Sequence, residues 1–191
     1  KRAAAAKALE LVDFKQIIGI GSGSTVAEFI RLLAPHANTI PGVVVASSSS
    51  EALAKAAGLR VVELNDVAPP EIYFDGADEI DPSFAMIKGG GAALTREKII
   101  GSASKRFVCL VDESKLVDVL GAFPLPIEVI PMARSFVMNE LQLFGGSPKV
   151  RGDIRTDNGN ILIDVSGLKL NNPRAREQDV NQIPGVVCNG I

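Results

Sequence analysis

Short apolar runs alternate with helical patterns through the first two-thirds of the chain, and that alternation constrains the fold more than any other feature. "QIIGI" (16–20), "GVVVAS" (42–47), "RVVEL" (60–64), "EIYFD" (71–75) and "RFVCLVD" (106–112) have the length and β-branched content of strands. Amphipathic or Ala-rich stretches separate them, among them "VAEFIRLLA", "SEALAKAAG" and "AALTREKIIGSAS". Strands alternating with helices predict a parallel sheet covered on both faces, and continuous runs such as "VVV" fit strands buried on both sides. The pattern changes at "GAFPLPIEVIPMA" (121–133), where three prolines punctuate a strand expected at a sheet edge. Beyond it the order reads helix ("RSFVMNELQLFG"), strand, the turn "TDNGN", strand ("ILIDV"), helix ("PRAREQDVNQI") and "PGVV". Asn158-Gly159 is a strong hairpin signal. The expected organisation is an α/β domain over 1–124, a smaller α+β domain over 125–187, and the start of a return segment at 188–191.

Composition excludes several classes of function. The net charge of −2 and the lack of a basic run argue against a nucleic-acid binder. No apolar run approaches the roughly 18 residues of a membrane span. "KRAAAAKALELV" reads as an amphipathic helix, because Lys7 and Glu10 interrupt any signal-peptide core. The two cysteines suggest no disulfide framework and fit a reducing compartment, with Cys109 expected as a buried small hydrophobe. The single histidine, His36, sits in an expected loop, so no transition-metal cluster is predicted.

Four motifs carry the chemistry. "GIGSGST" (19–25) leaves a strand and opens a helix, which presents free amides and the hydroxyls of Ser22, Ser24 and Thr25 to an anion. A plain N-cap on a tight turn would leave the same signature. The dinucleotide fingerprint fails, because Ser24 stands at the third glycine and "VASSSS" replaces the later acid. "DGADEID" ends the run "EIYF", where ligands of open α/β sheets bind. Asp75 and Asp78 would share one face of a helical turn, and their proximity would push their pKa values apart. A solvated acidic loop and a Mg²⁺ or Ca²⁺ site compete with that reading; Glu79 and Asp81 are assigned to the solvated loop.

In "KGGGAALTREK", Gly89, Gly90 and Gly91 let a ligand approach the backbone and leave amides free for an anion. Lys88 offers a point charge to a developing oxyanion, and Glu97 in the following helix is a candidate general base. A surface acid is the plainer alternative for Glu97. "VDESKL" (111–116) places Lys115 at another strand end, as a phosphate ligand or a surface lysine. Together these residues predict a phosphorylated metabolite and proton abstraction beside a carbonyl, without metal.

In this order, "GIGSGST", "DGADEID", "KGGGAALTREK", "VDESK" and "PLPIEVIPMA" resemble ribose-5-phosphate isomerase of type A, and the likeness runs on through "TDNGN" and "IPGVV". The resemblance implies a Rossmann-like domain with a smaller ferredoxin-like α+β domain, and interconversion of ribose 5-phosphate and ribulose 5-phosphate in pentose phosphate metabolism. It implies neither metal nor organic cofactor, no nucleic-acid or membrane partner, and a homodimer or dimer of dimers. The implied location is the cytoplasm, or a plastid had a transit peptide been removed.

By position, Glu97 resembles the family's base, and Lys88 with the amides of Gly89 to Gly91 its oxyanion site. Asp75 and Asp78 match the aspartates of ring opening and hydroxyl binding. Ser22, Gly23, Ser24, Thr25 and Lys115 match substrate and phosphate positions, and Lys1 a basic residue of the first helix. The family more often has Thr at the place of Ser22, and it continues past "IPGVVCNGI" into a segment returning to the first sheet. A sugar-phosphate sensor on the same fold would keep the phosphate turn and need neither Glu97 nor Lys88.

Overall fold

A computed structural model describes all 191 residues, Lys1–Ile191. In chain order the elements are α1 (Arg2–Leu9), β1 (Ile18–Ile20), α2 (Ser24–Leu33), β2 (Val43–Val45), α3 (Ser48–Ala56), β3 (Ile72–Asp75), β4 (Glu79–Ile80), β5 (Met86–Ile87), α4 (Leu94–Ala103) and β6 (Arg106–Cys109). Then come β7 (Leu125–Val129), α5 (Arg134–Leu143), β8 (Ser147–Arg155), β9 (Ile161–Ser166), α6 (Pro173–Asn181) and β10 (Val186–Asn189). The chain forms two compact units, one of Lys1–Gly76 with Arg96–Asp112, the other of Ala77–Thr95 with Glu113–Ile191.

The first unit is built on a four-stranded parallel sheet in the order β2-β1-β3-β6. From β1 the chain moves to β2 on one side and then to β3 on the other, so the strand order reverses between β1 and β3. A crevice opens at such a switch point, beyond the carboxyl ends of the strands. The helix α2 buries Val26, Phe29, Ile30 and Leu33, the i, i+3, i+4, i+7 stripe of an amphipathic helix. Each of these side chains contributes about 1.5–3 kcal/mol by leaving water. Phe29 packs on Phe74 of β3 with the rings tilted by 38° and their centroids 4.6 Å apart, which fixes α2 over the centre of the sheet.

The second unit carries an antiparallel sheet in the order β10-β7-β9-β8. With α5 and α6, the sequence β7-α5-β8-β9-α6-β10 is the split βαβ of a ferredoxin-like fold, as expected. A small hairpin, β4–β5, is a further element of this unit that periodicity did not announce.

Several expectations change. "RVVEL" forms no named strand: Val61 makes an isolated bridge to Val43, and Leu64 opens a 3₁₀ turn. Its apolar side chains serve packing, since Val62 and Leu64 lie against a cluster containing Val44, Tyr73 and Ile100. Strand β7 is interior to its sheet, flanked by β9 and β10, although it contains Pro126. In an antiparallel strand a residue's N and O face the same neighbour. The Pro126 carbonyl accepts from Gly190 N at 2.9 Å, so its missing donor faces the end of β10 and the pairing to β9 is untouched. His36 closes a 3₁₀ turn and stacks on Phe14, with 4.1 Å between centroids. Cys109 is half-buried on β6, the sheet's edge, whereas Cys188 is buried.

Glu128 of β7 is fully buried, and four side chains surround it with donors. Thr95 Oγ1 donates at 2.5 Å, Thr156 Oγ1 at 2.8 Å, Asn160 Nδ2 at 2.8 Å and Asn158 Nδ2 at 3.1 Å. A buried carboxylate persists only when hydrogen-bonded in this way. "TDNGN" therefore both turns the chain and satisfies this charge.

Candidate active site

Six of the residues singled out by the motifs cluster at the switch point of the first unit. β1 ends at Ile20, and Gly21 N donates to Phe74 O at 2.9 Å, which carries the turn along the end of β3. Gly21 is required here by close approach: a Cβ would lie 1.9 Å from Asp75 Cγ. The Gly21 carbonyl accepts from Ser50 Oγ at 2.7 Å, a buried contact from α3 that no motif announced. Gly23 follows at φ 95° and precedes α2 without a side-chain cap, so the first amides of α2 have no capping side chain. Gly23 and Ser24 are exposed, while Ser22 and Thr25 are half-buried.

Asp75 ends β3 and is 1% exposed. Its Oδ1 accepts from Ser22 N at 3.1 Å and from Gly76 N at 2.7 Å, and its Oδ2 accepts from Tyr73 Oη at 2.6 Å. Residues 76 to 78 are not helical, so the expected helical turn bringing Asp75 and Asp78 to one face is absent. The strand continues into an irregular connection because Asp75 is tied to the Ser22 and Gly76 amides. Glu97, in the first turn of α4, is 3% exposed, which removes the surface-acid alternative. Ser22 Oγ donates to Glu97 Oε1 at 2.5 Å. One serine thus holds Asp75 through its amide and Glu97 through its hydroxyl.

Tyr73 joins this cluster, two residues before Asp75 on the same strand. Burial first, then the charges of Asp75 and Glu97, and finally its bond to Asp75 hold the Tyr73 hydroxyl well above the ordinary tyrosine pKa. It remains a protonated donor across the working pH range. Tyr73 is the sole tyrosine, and tryptophan is absent, so near-ultraviolet tyrosinate absorbance reads this one group. In the folded protein the absorbance step is expected well above pH 10, and in urea near the ordinary value of about 10. Because the folded pKa is the raised one, the associated stability is complete below about pH 10 and is lost as pH climbs towards the folded value. Ionisation of the native protein at the ordinary pKa would contradict a Tyr73 buried beside two carboxylates.

The other group lies in the second unit. Asp78 Oδ2 accepts from Gly90 N at 2.8 Å. Lys88 N donates to Gly190 O at 2.8 Å, and Ala92 N to Gly89 O at 3.0 Å, which closes the glycine turn. Ala92 is held at φ 66°, in the left-handed region that a non-glycine residue rarely adopts. Gly90 and Gly91 are exposed, Gly89 is buried and Lys88 is half-buried. Lys115 ends a 3₁₀ turn, Glu113–Lys115, and is half-buried. Lys1, in the first unit, is exposed at the start of α1.

The acids assigned to a solvated loop behave otherwise. Glu79 is 4% exposed and accepts from Gly121 N at 2.7 Å and Phe123 N at 2.5 Å, so it anchors the approach to β7. Asp81 Oδ1 accepts from Ser83 N, Ser83 Oγ and Ala85 N, which builds the β4–β5 turn. Local spacing could not reveal Glu79, whose partners lie more than 40 positions away. Tyr73 did leave a signal, since alternate residues of a strand share a face.

This arrangement places a buried carboxylate beside a serine hydroxyl at a sheet switch point, next to an uncapped helix start. It can accept a proton and bind an anion. The family profile described as "Ribose 5-phosphate isomerase A (phosphoriboisomerase A)" matches residues 42–191. The chain is 54% identical to ribose-5-phosphate isomerase A of Haemophilus influenzae, over all of this chain and 88% of that protein. It superposes on the crystal structure of ribose 5 phosphate isomerase A from Neisseria gonorrhoeae with a TM-score of 0.97 at 46% identity, covering 100% of this chain and 85% of that one. For the enzyme from Methanocaldococcus jannaschii the TM-score is 0.94 at 40% identity, over 99% and 88% of the two chains. A further D-ribose-5-phosphate isomerase, solved with phospho-erythronic acid, matches with a TM-score of 0.94 at 40% identity, over 100% and 88%. The chain therefore belongs to the ribose 5-phosphate isomerase A family.

Proposed function

We propose that this protein is an aldose–ketose isomerase that interconverts ribose 5-phosphate and ribulose 5-phosphate through an enediolate. The single observation that carries this reading is the buried Glu97 held by Ser22 at the switch point, in a chain whose relatives bear that enzyme's name. Glu97 takes the proton from C2 of the open-chain aldose and returns it to C1. A carboxylate 3% exposed, with Ser22 fixing one oxygen, is held in a single orientation for that transfer.

Lys88 and the amides of Gly89 to Gly91 are assigned to the oxyanion that develops as the proton leaves. The uncapped start of α2, with Ser24 and Thr25, supports binding of the phosphate, and Lys115 and Lys1 are assigned to the same anion. Asp78 is read as a ligand of sugar hydroxyls. Asp75, with both oxygens engaged, is read as the group that holds the Ser22 turn while assisting ring opening. Catalysis on this reading uses side chains and amides alone.

The purified protein, stripped of metal by chelation, is expected to form ketose from ribose 5-phosphate at an undiminished rate. Loss of turnover on chelation would show that a metal ion takes part. No turnover by the folded protein under any condition would move the reading to a sugar-phosphate sensor. We also read the protein as a homodimer or dimer of dimers; Met132 at 94% and Leu143 at 80% exposure are apolar surface available for burial, and light scattering tests this. The proposed location is the cytoplasm. No helix is long and apolar enough to cross a membrane, and the Haemophilus relatives are bacterial, which lends no support to a plastid.

A further inference from the structure

We propose that Arg151 is a positioning residue for the oxyanion loop: its guanidinium draws the carbonyls of Gly89 and Gly90 to one side, which points the Gly90 amide at Asp78 and turns the Gly91 amide away from Arg151 as the donor for the oxyanion. The proposal rests on the reading of Lys88 to Gly91 as the oxyanion site.

Arg151 Nη1 donates to Gly89 O at 3.0 Å and to Gly90 O at 3.1 Å. The far side of the same guanidinium is held by Asp164 of β9, with Nε donating to Oδ2 at 2.8 Å and Nη2 to Oδ1. The pair is largely shielded, at 16% and 26% side-chain exposure, so solvent competes weakly with these contacts. A planar fork gripped on one edge by a carboxylate presents its other edge in a fixed direction, which lysine cannot reproduce.

The backbone then transmits that direction. In a trans peptide the C=O and the following N–H point opposite ways, and the chain contains no cis peptide. The Gly89 carbonyl faces Arg151, and across the same peptide Gly90 N donates to Asp78 at 2.8 Å. The Gly90 carbonyl also faces Arg151, so the Gly91 N–H is turned away from it. A charged donor on each carbonyl also polarises its peptide and strengthens the amide as a donor.

Strand β8 is built to deliver this side chain. Its register with β9 runs evenly to Val150↔Ile163 and resumes at Arg155↔Ile161, so five steps along β8 oppose two along β9. The irregularity begins at Arg151, and bulges of this kind re-aim a side chain away from the regular pleat. Gly90 also needs its lack of a side chain, because a Cβ there would lie 2.5 Å from Asp78 Oδ1.

The test uses Arg151→Lys in the full chain, with Lys88→Met as the control for the underlying reading. Arg151→Lys is expected to lower kcat roughly ten- to a hundred-fold, with KM for ribose 5-phosphate within about threefold of wild type. Affinity for phospho-erythronic acid, whose carboxylate carries the charge of an enediolate, should fall with kcat. Affinity for inorganic phosphate should not change. An unchanged kcat in folded Arg151→Lys, with activity lost in Lys88→Met, overturns the role of Arg151 alone. Retained activity in Lys88→Met overturns the oxyanion reading itself. Equal loss of affinity for both probes would mark Arg151 as merely structural and overturn the proposal too. Should Arg151→Lys not fold, Asp164→Asn leaves the guanidinium present but loosely held, and an unchanged kcat there overturns the proposal.

Discussion

Glu97→Gln is expected to lower turnover of ribose 5-phosphate by about 10² to 10⁴-fold while KM changes by less than about threefold. The amide fills the same buried space, and its oxygen still accepts the Ser22 hydroxyl that reaches Glu97 Oε1 at 2.5 Å. What it lacks is proton affinity. Ground-state binding therefore survives and only the proton-transfer step is lost. Steady-state kinetics with thermal unfolding of the same preparation separates this from a folding defect. Turnover within about tenfold of wild type would remove Glu97 as the base.

Gly21→Ala is expected to destabilise the first unit by about 3–5 kcal/mol and to abolish activity with it. The added Cβ would stand 1.9 Å from Asp75 Cγ and 2.1 Å from its Oδ1, so the carboxylate must move. Asp75 is 1% exposed and has nowhere to turn without breaking its bonds to Ser22 N, Gly76 N and Tyr73 Oη. Overpacking adds about 1–3 kcal/mol, and donors left unmade around a buried carboxylate add a similar amount. Ser22 would shift as well, carrying its hydroxyl away from Glu97. Denaturant midpoints measure the stability, and the tyrosinate titration reports the environment of Tyr73 independently. A variant with wild-type stability and a wild-type Tyr73 titration would show that the turn yields more easily than its packing implies.

Much of the fold was legible because strands and helices leave periodic apolar patterns. The α+β element order of the second unit followed from the hairpin signal at Asn158-Gly159 and the helices around it, whereas its ferredoxin-like topology was implied by the family resemblance. "RVVEL" misled because its pairing with β2 stops at a single bridge, Val61 to Val43, before the chain turns at Leu64, and composition alone does not set the length of a pairing. Pro126 misled because its missing donor faces Gly190, whose carbonyl accepts from Lys88 N at 2.8 Å instead, so no acceptor is orphaned.

The candidate site was legible where its parts are local. "GIGSGST", "DGADEID" and "KGGGAALTREK" each gather side chains of complementary chemistry within a few residues. What joins them is not local: Ser22 meets Glu97 across 75 positions, and Arg151 meets Gly89 across 62. Glu79 looked solvated because its neighbours in sequence are acidic, yet its partners in space are the amides of Gly121 and Phe123. Charge density along a chain says little about charge density in space.

The most direct test is isomerisation of ribose 5-phosphate in deuterated water, followed by NMR of both sugars. A Glu97 that carries the proton between C2 and C1 exchanges with solvent, so deuterium should enter C1 of the ketose and C2 of recovered aldose. Glu97→Gln should suppress both while still binding the sugar phosphate. Deuterium entering C1 of the ketose and C2 of the aldose at an unchanged rate in Glu97→Gln would contradict an enediolate route through this residue.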